Sequence, residues 1–194
     1  MFKSGAERIT MVMLNNNVIE ENEFNVYSYG IELLIAFVVN IIAVSIVGIF
    51  FGKLIQTFVF LLTYCPLRQY AGGYHAGNYT KCTLTFTTLF IATILIINNI
   101  DIQTSHLLIS GLLIVSFLGI SYLSPVESRN NPLTALERKH HKRVAIAISG
   151  VYMLLNILLI NLNIIPDYII FSAAGLILVY IMQILAILTG KRTN

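Results

Sequence analysis

Charge and cysteine are both scarce in this sequence, and their scarcity excludes several classes of protein. Only 11% of the 194 residues are charged, whereas 57% are hydrophobic. A soluble domain carries about 25% charged residues and could not bury this much apolar surface, so we expect the chain to lie in a lipid bilayer. The two cysteines, Cys65 and Cys82, form neither a disulfide framework nor a CxxC zinc pattern. We therefore expect no metal, no cofactor and no nucleic-acid partner.

The sequence also lacks a secretory signal pattern and internal repeats. Residues 1–28 contain six charged residues and no long apolar core, which argues against a cleavable signal peptide. The apolar stretch 9–14 predicts a short helix lying on the membrane surface, and a partly ordered cytoplasmic tail is an equally good interpretation. Because no tandem repeat or low-complexity tract divides the chain, we expect residues 1–194 to form one integral membrane domain.

Six apolar stretches predict an all-α fold, a polytopic membrane bundle of about six transmembrane helices. They cover residues 30–51, 54–67, 83–97, 107–123, 144–162 and 168–188. The second stretch has 14 residues, about 21 Å of helix, so it must tilt or thin the bilayer. We expect the pair Cys65-Pro66 to end it. Since no charged residue lies at the centre of a span, an ion-coupled transporter is disfavoured.

Basic residues predict the orientation of these spans. Residues 124–143 read as a basic cytoplasmic loop, and the C-terminus ends with Lys191 and Arg192. By the positive-inside rule both belong in the cytoplasm of a multi-pass protein of the cell membrane. Six crossings then place the N-terminus and residues 68–82 on the same cytoplasmic side. The cations of the loop are Arg129, Arg138, Lys139, Lys142 and Arg143.

The polar segment RQYAGGYHAGNYTKC, residues 68–82, is where nucleophilic chemistry can be assembled. Cys82 stands where the third span begins, and the unpaired N–H groups of a helix N-terminus favour a thiolate. On a continuous helix His75 would lie about 10 Å from Cys82 along the axis, too far for proton transfer. The segment must therefore fold back, and Gly72, Gly73 and Gly77 supply the necessary backbone freedom.

A second interpretation of this segment needs no chemistry. A cytoplasmic loop between two spans can contain a histidine and a cysteine by chance, because arguments from perturbed sites are probabilistic. His140 and His141 adjoin basic residues and are expected on a solvated face, and Cys65 is expected to be a packing residue. Spacing alone leaves both interpretations open.

The residues of this segment resemble a known family. Arg68-Gln69-Tyr70-Ala71-Gly72-Gly73-Tyr74-His75-Ala76, followed by Cys82, is similar to the hallmark of the accessory gene regulator protein B family, AgrB. Ser124-Pro125-Val126-Glu127 and Asn131-Pro132-Leu133, before a basic stretch, fit the same pattern. These proteins are multi-spanning thiol endopeptidases that process the precursor of a quorum-sensing autoinducing peptide.

The resemblance implies that His75 and Cys82 form the catalytic pair, with Arg68, Gly72 and Gly73 in supporting positions. Asn78 and Gln69 are candidates for a third group that orients the histidine. The resemblance further implies that Cys82 forms a thioester with the precursor and that a (thio)lactone ring then closes. Backbone N–H groups of the third span or of the Gly72-Gly73 turn are candidate oxyanion donors.

The partners are implied in the same way. A precursor of this family has an amphipathic N-terminal helix and an acidic C-terminal tail, which the basic loop is suited to attract. The same charges are also suited to membrane lipid and to fixing topology, and a homodimer is implied by the resemblance alone. A non-catalytic peptide exporter or a membrane scaffold remains the alternative function.

Overall fold

The structure is a computed structural model that describes residues 2–73, 79–99, 102–127 and 133–189. These residues form seven α-helices and a short 3-10 turn at Glu21–Glu23, and they contain no β-strand, which confirms the all-α prediction. The helices are α1 (Phe2–Asn15), α2 (Phe24–Phe50), α3 (Leu54–Ala71), α4 (Tyr79–Asn98), α5 (Ile102–Leu123), α6 (Ala135–Asn161) and α7 (Pro166–Leu188).

Five helices in the described part of the chain are long and apolar enough to cross a membrane, which confirms a polytopic membrane protein. They are α2, α4, α5, α6 and α7. The sixth predicted span corresponds to α3, an 18-residue helix whose last turn carries Arg68. This polar end leaves α3 without an 18-residue stretch as apolar as those found in the other five helices.

Pro66 does not end α3, so the expectation that the Cys65-Pro66 pair stops this helix is wrong. The helix continues through Pro66 to Ala71. A proline inside a helix leaves the carbonyl four residues earlier without its usual N–H partner. Here that carbonyl belongs to Leu62, and it accepts a hydrogen bond of 3.0 Å from the hydroxyl of Tyr152 on α6. A neighbouring helix therefore satisfies the group that the proline frees.

The described residues pack into two compact units, and the larger one is built around α7. It contains the described residues of Gly48–His75 and Ile91–Asn194. In it α7 contacts α3, α5 and α6. A Cβ added at Gly175 would lie 3.1 Å from the carbonyl oxygen of Phe60, so α3 and α7 approach closely there. Polar groups join the same helices: Ser172 on α7 bonds to Thr63 at 2.9 Å and to Asn156 at 3.0 Å. Asn156 thus joins α6 to α7.

The smaller unit contains the described residues of Met1–Val47 and Ala76–Phe90. The short N-terminal helix predicted at residues 9–14 is present as the longer α1. Its Gly5 faces Ile35 of α2, and Ala6 is fully buried. This packing favours the helix over the alternative of a partly ordered tail, and its place on a membrane surface stays a prediction.

The C-terminal part of the predicted basic loop at residues 124–143 is helical, because α6 begins at Ala135 and includes residues 135–143. Thr134 caps α6: its hydroxyl accepts the Glu137 N–H at 3.3 Å, and Glu137 Oε2 accepts the Thr134 N–H at 2.9 Å. This reciprocal capping box starts a helix nine residues before the apolar stretch that the sequence pattern marks. The basic residues from Arg138 onward therefore lie on the first turns of α6.

Candidate functional site

The glycine pair after α3 forms a turn that requires glycine. Gly72 has a φ of 70° and Gly73 a φ of 135°, values that other residues rarely adopt. Gly72 is the C-cap of α3, and its N–H donates to the Arg68 carbonyl at 3.1 Å. The predicted backbone freedom is thus used at these two positions, while Gly77 lies outside the described residues.

Arg68 folds over this turn from the last turn of α3. Its Nη1 donates to the Gly72 carbonyl oxygen, and a Cβ added at Gly73 would collide with the guanidinium group. The same Cβ would lie 3.2 Å from the Met182 carbonyl oxygen of α7. A cation at a helix C-terminus is also favoured by the helix dipole. Arg68 and Gly73 therefore fit each other, and a side chain at position 73 would separate them.

A short extended segment, residues 124–127, holds the turn from the other side, and we call it the strap. Val126 N–H donates to the Ala71 carbonyl at 3.0 Å, and Gly73 N–H donates to the Val126 carbonyl at 3.3 Å. Gly72 and Val126 consequently form an isolated parallel bridge. Since the N–H groups of Gly72 and Gly73 are both engaged, the expectation that this turn supplies oxyanion donors is wrong.

Gln183 of α7 joins the turn to the strap, and sequence reasoning missed it. Its side chain is fully buried. The Nε2 donates to the Ala71 carbonyl at 2.9 Å and to the Ser124 hydroxyl at 3.0 Å. The signal that would have revealed it is a lone amide inside the apolar stretch 168–188, because a buried amide must find partners there.

Cys82 lies where the sequence predicts, in the first turn of a helix. It is the fourth residue of α4 and a half-buried free thiol. Lys81 beside it is exposed. The predicted partners His75 and Asn78 lie outside the described residues, so their approach to Cys82 stays a prediction. Cys65, the second free thiol, is half-buried within α3.

One of the predicted basic residues binds the strap, and three others are free of ion pairs in the described part of the chain. Arg138 Nε lies 2.6 Å from Glu127 Oε1, and Arg138 Nη2 lies 3.1 Å from Glu127 Oε2. Lys139, Lys142 and Arg143 are exposed on α6, and Arg129 lies outside the described residues. Arg138 and Lys142 also line a cleft of about 290 Å³ between α6 and the strap.

The two adjacent histidines of α6 face the end of α3. The Tyr70 ring meets the rings of His140 and His141 edge-on, with centroids 6.4 Å and 5.4 Å apart. His140 is exposed as predicted, whereas His141 is partly covered. Within the described residues no group of three His, Cys, Asp or Glu side chains is placed to hold a metal ion.

Comparison with known proteins identifies the family of this chain. The sequence model of the family described as Accessory gene regulator B matches residues 6–187, nearly the whole chain. The resemblance drawn from the motif at residues 68–82 is thus confirmed. No curated protein and no solved structure matches the chain.

Proposed function

We propose that this chain, which belongs to the accessory gene regulator B family, is a membrane-embedded cysteine endopeptidase. The family acts in quorum sensing through peptide processing. In the proposed reaction the enzyme removes the C-terminal part of a precursor peptide through a thioester on Cys82. It then promotes closure of the remaining part into a thiolactone or lactone ring.

The position of Cys82 is the observation that carries this proposal. The thiol lies in the first turn of α4, a helix apolar enough to enter a membrane. The first turn of a helix also presents backbone N–H groups near the nucleophile, where they can stabilise the charge that develops on the attacked carbonyl. A half-buried sulfur at such a boundary is accessible to a peptide and shielded from most water, which suits an acyl-enzyme intermediate.

In the first step the Cys82 thiolate attacks a peptide carbonyl of the precursor. The new C–S bond forms, the C–N bond breaks, and protonated His75 donates its proton to the departing amine. The C-terminal fragment leaves, and the N-terminal portion remains as a thioester. The oxyanion donors in this proposal are N–H groups at the start of α4, since the amides of Gly72 and Gly73 are already bonded.

In the second step a thiol of the bound precursor attacks that thioester. Neutral His75 takes the proton of the incoming thiol, the C–S bond to Cys82 breaks, and Cys82 leaves as a thiolate. Exchanging one thioester for another is nearly balanced in energy, so the enzyme must exclude water and hold the two sulfurs close. Such proximity is worth about 7–11 kcal/mol of the barrier. A precursor with serine at that position would give a lactone.

The basic residues of α6 are proposed to attract the acidic tail of the precursor. Lys139, Lys142 and Arg143 are exposed, and Lys142 reaches the cleft beside the strap. Arg129 belongs to the same charged stretch of sequence. Since Arg138 is bound to Glu127, we assign the attraction mainly to the other cations. Charge attraction of this kind raises the association rate and weakens with salt.

We also propose that the enzyme lies in the cell membrane with this chemistry on the cytoplasmic side. The basic first turns of α6 and the basic C-terminus support this orientation through the positive-inside rule. The amphipathic N-terminal helix of the precursor would then reach the site along the inner membrane surface.

The two free cysteines make a matched test of the proposal. Cys82→Ala is expected to abolish precursor cleavage in membrane vesicles, and Cys65→Ala, which removes a half-buried thiol from α3, is expected to cleave at nearly the wild-type rate. The readout is the ratio of intact precursor to its fragments. A peptide exporter or a scaffold would keep its own activity in Cys82→Ala. Precursor cleavage that persists in that variant contradicts the proposed function.

A further inference from the structure

Gln183 occupies a position that no step of the reaction explains. It is a fully buried amide near the C-terminal end of α7, with apolar residues on both sides of it in the sequence. Its two hydrogen bonds go to the last residue of α3 and to the first residue of the strap. It thus joins α7, the end of α3 and the strap, just before the segment of sequence that contains His75.

We infer that Gln183 is a positioning residue, which fixes the Ala71–Gly73 turn and through it the place of the catalytic histidine. The inference rests on the proposed function, in which His75 acts on Cys82. It deepens that function by assigning a role to a residue more than a hundred positions later in the chain.

The orientation of the Gln183 amide follows from its partners. A carbonyl oxygen only accepts hydrogen bonds, so the atom that faces the Ala71 carbonyl at 2.9 Å must be the amide nitrogen. The same carbonyl also accepts the Val126 N–H at 3.0 Å. Two donors from different parts of the chain therefore hold one acceptor, at the residue where α3 ends.

Burial makes this arrangement costly to disturb. Without Gln183 the Ala71 carbonyl keeps one donor, but the Ser124 hydroxyl, which is also buried, loses a partner. A buried polar group left without a partner is strongly disfavoured, and we expect the turn and the strap to rearrange so that the hydroxyl finds another partner. His75 follows Gly73 by two residues in the sequence, so we expect a shift of the turn to change the position of the histidine. A misplacement of about 1 Å in a catalytic group reduces rate about 100-fold.

Asn156 provides a matched control within the same unit. It too is a buried amide, 2% exposed, whose nitrogen donates to a carbonyl, that of Tyr152 at 2.7 Å, and to a hydroxyl, that of Ser172 at 3.0 Å. The oxygen atoms of both amides lack a hydrogen-bond partner among the described residues. The two side chains thus make the same kinds of hydrogen bond at similar burial, but Asn156 does not bond to the turn or the strap.

The test compares Gln183→Met with Asn156→Leu in the full-length protein in membrane vesicles. Both replacements remove the amide and put an apolar side chain of similar shape in its place. We expect the two variants to lose similar amounts of thermal stability. In Gln183→Met we expect kcat for precursor cleavage to fall about 30-fold while KM changes less than about threefold. In Asn156→Leu we expect both parameters to stay near wild type. We also expect the rate at which iodoacetamide alkylates Cys82 to differ from wild type in Gln183→Met, and to differ in the same direction as in His75→Ala.

A milder variant keeps the inference testable if Gln183→Met does not fold. Ser124→Ala removes one of the two Gln183 contacts and is expected to lower kcat about three- to tenfold. The inference is overturned if Gln183→Met or Ser124→Ala folds and keeps wild-type kcat, or if Asn156→Leu loses as much kcat as Gln183→Met. Failure of the proposed function looks different, because then Cys82→Ala and His75→Ala themselves still cleave the precursor.

Discussion

Replacing Gly73 by alanine is the perturbation whose effect the structure defines best. The φ of 135° at this position is outside the range that alanine readily adopts. The added Cβ would also collide with the Arg68 guanidinium and lie 3.2 Å from the Met182 carbonyl oxygen. The protein backbone of α7 cannot easily move, so the turn and Arg68 must separate.

The size of the effect follows from two contributions. Holding a non-glycine residue in a sparsely populated region costs about 1–3 kcal/mol. Losing the hydrogen bond from the charged Arg68 to Gly72 costs about 1.5–3 kcal/mol. The resting protein avoids most of this cost by distorting the turn, but the productive turn must be restored for catalysis. Restoring it costs at least about 2.5 kcal/mol, and at about 1.4 kcal/mol for each factor of ten in rate we expect Gly73→Ala to cleave at least about 50-fold more slowly.

Two glycine variants separate the causes in a precursor-cleavage assay. Gly52→Ala introduces a side chain at a φ of 65° with no atom within 4 Å, so it tests backbone strain alone. Gly111→Ala places a Cβ in open space on α5 and is expected to stabilise that helix by about 0.5–1 kcal/mol. We expect both to cleave at the wild-type rate. A folded Gly73→Ala enzyme with activity within about fivefold of wild type would refute this reasoning.

Three further predictions concern the charged surface and the topology. Glu127→Gln breaks an ion pair whose Arg138 side chain is 59% exposed. It should therefore lower the free energy of unfolding by about 0.2–1 kcal/mol and the cleavage rate by less than about fivefold. A larger loss of activity would give the pair a catalytic role. The double variant Lys139→Glu, Lys142→Glu should raise KM for an acidic-tailed precursor several-fold and make KM less dependent on salt, because the attraction between opposite charges is lost. Initial rates measure both effects. An unchanged KM would show that these lysines do not bind the tail. In a protein without Cys65 and Cys82, Asn163→Cys should react with an impermeant thiol reagent from outside the cell, and labelling from the cytoplasmic side alone would reverse the proposed orientation.

Local patterns in the sequence were sufficient to predict most of the helices. Apolar stretches of about 20 residues locate the spanning helices, because that length of helix crosses the hydrocarbon core and its backbone hydrogen bonds are satisfied within the helix. Helix α7 follows the predicted 168–188 closely. The glycines at 72 and 73 likewise indicated a turn, since their conformational freedom is a property of the residue itself. These features depend on neighbouring residues, which is why a sequence reveals them.

Contacts between distant residues could not be predicted in the same way. Pro66 was expected to end α3, and its helix persists because Tyr152, 86 positions later, bonds to the freed carbonyl. The engagement of the Gly72 and Gly73 amides depends in part on Val126, and the role of Gln183 depends on a crossing between α7 and the end of α3. Nothing in the local sequence specifies which chain segment arrives beside a polar group.

The most direct measurement of the central claim is mass spectrometry of the enzyme trapped during turnover with its precursor. The account predicts that the N-terminal portion of the precursor is attached to the peptide containing Cys82, that hydroxylamine releases it, and that Gly73→Ala and Gln183→Met accumulate less of it. Release of the C-terminal fragment from a Cys82→Ala enzyme, or an adduct on Cys65 in place of Cys82, would contradict the account.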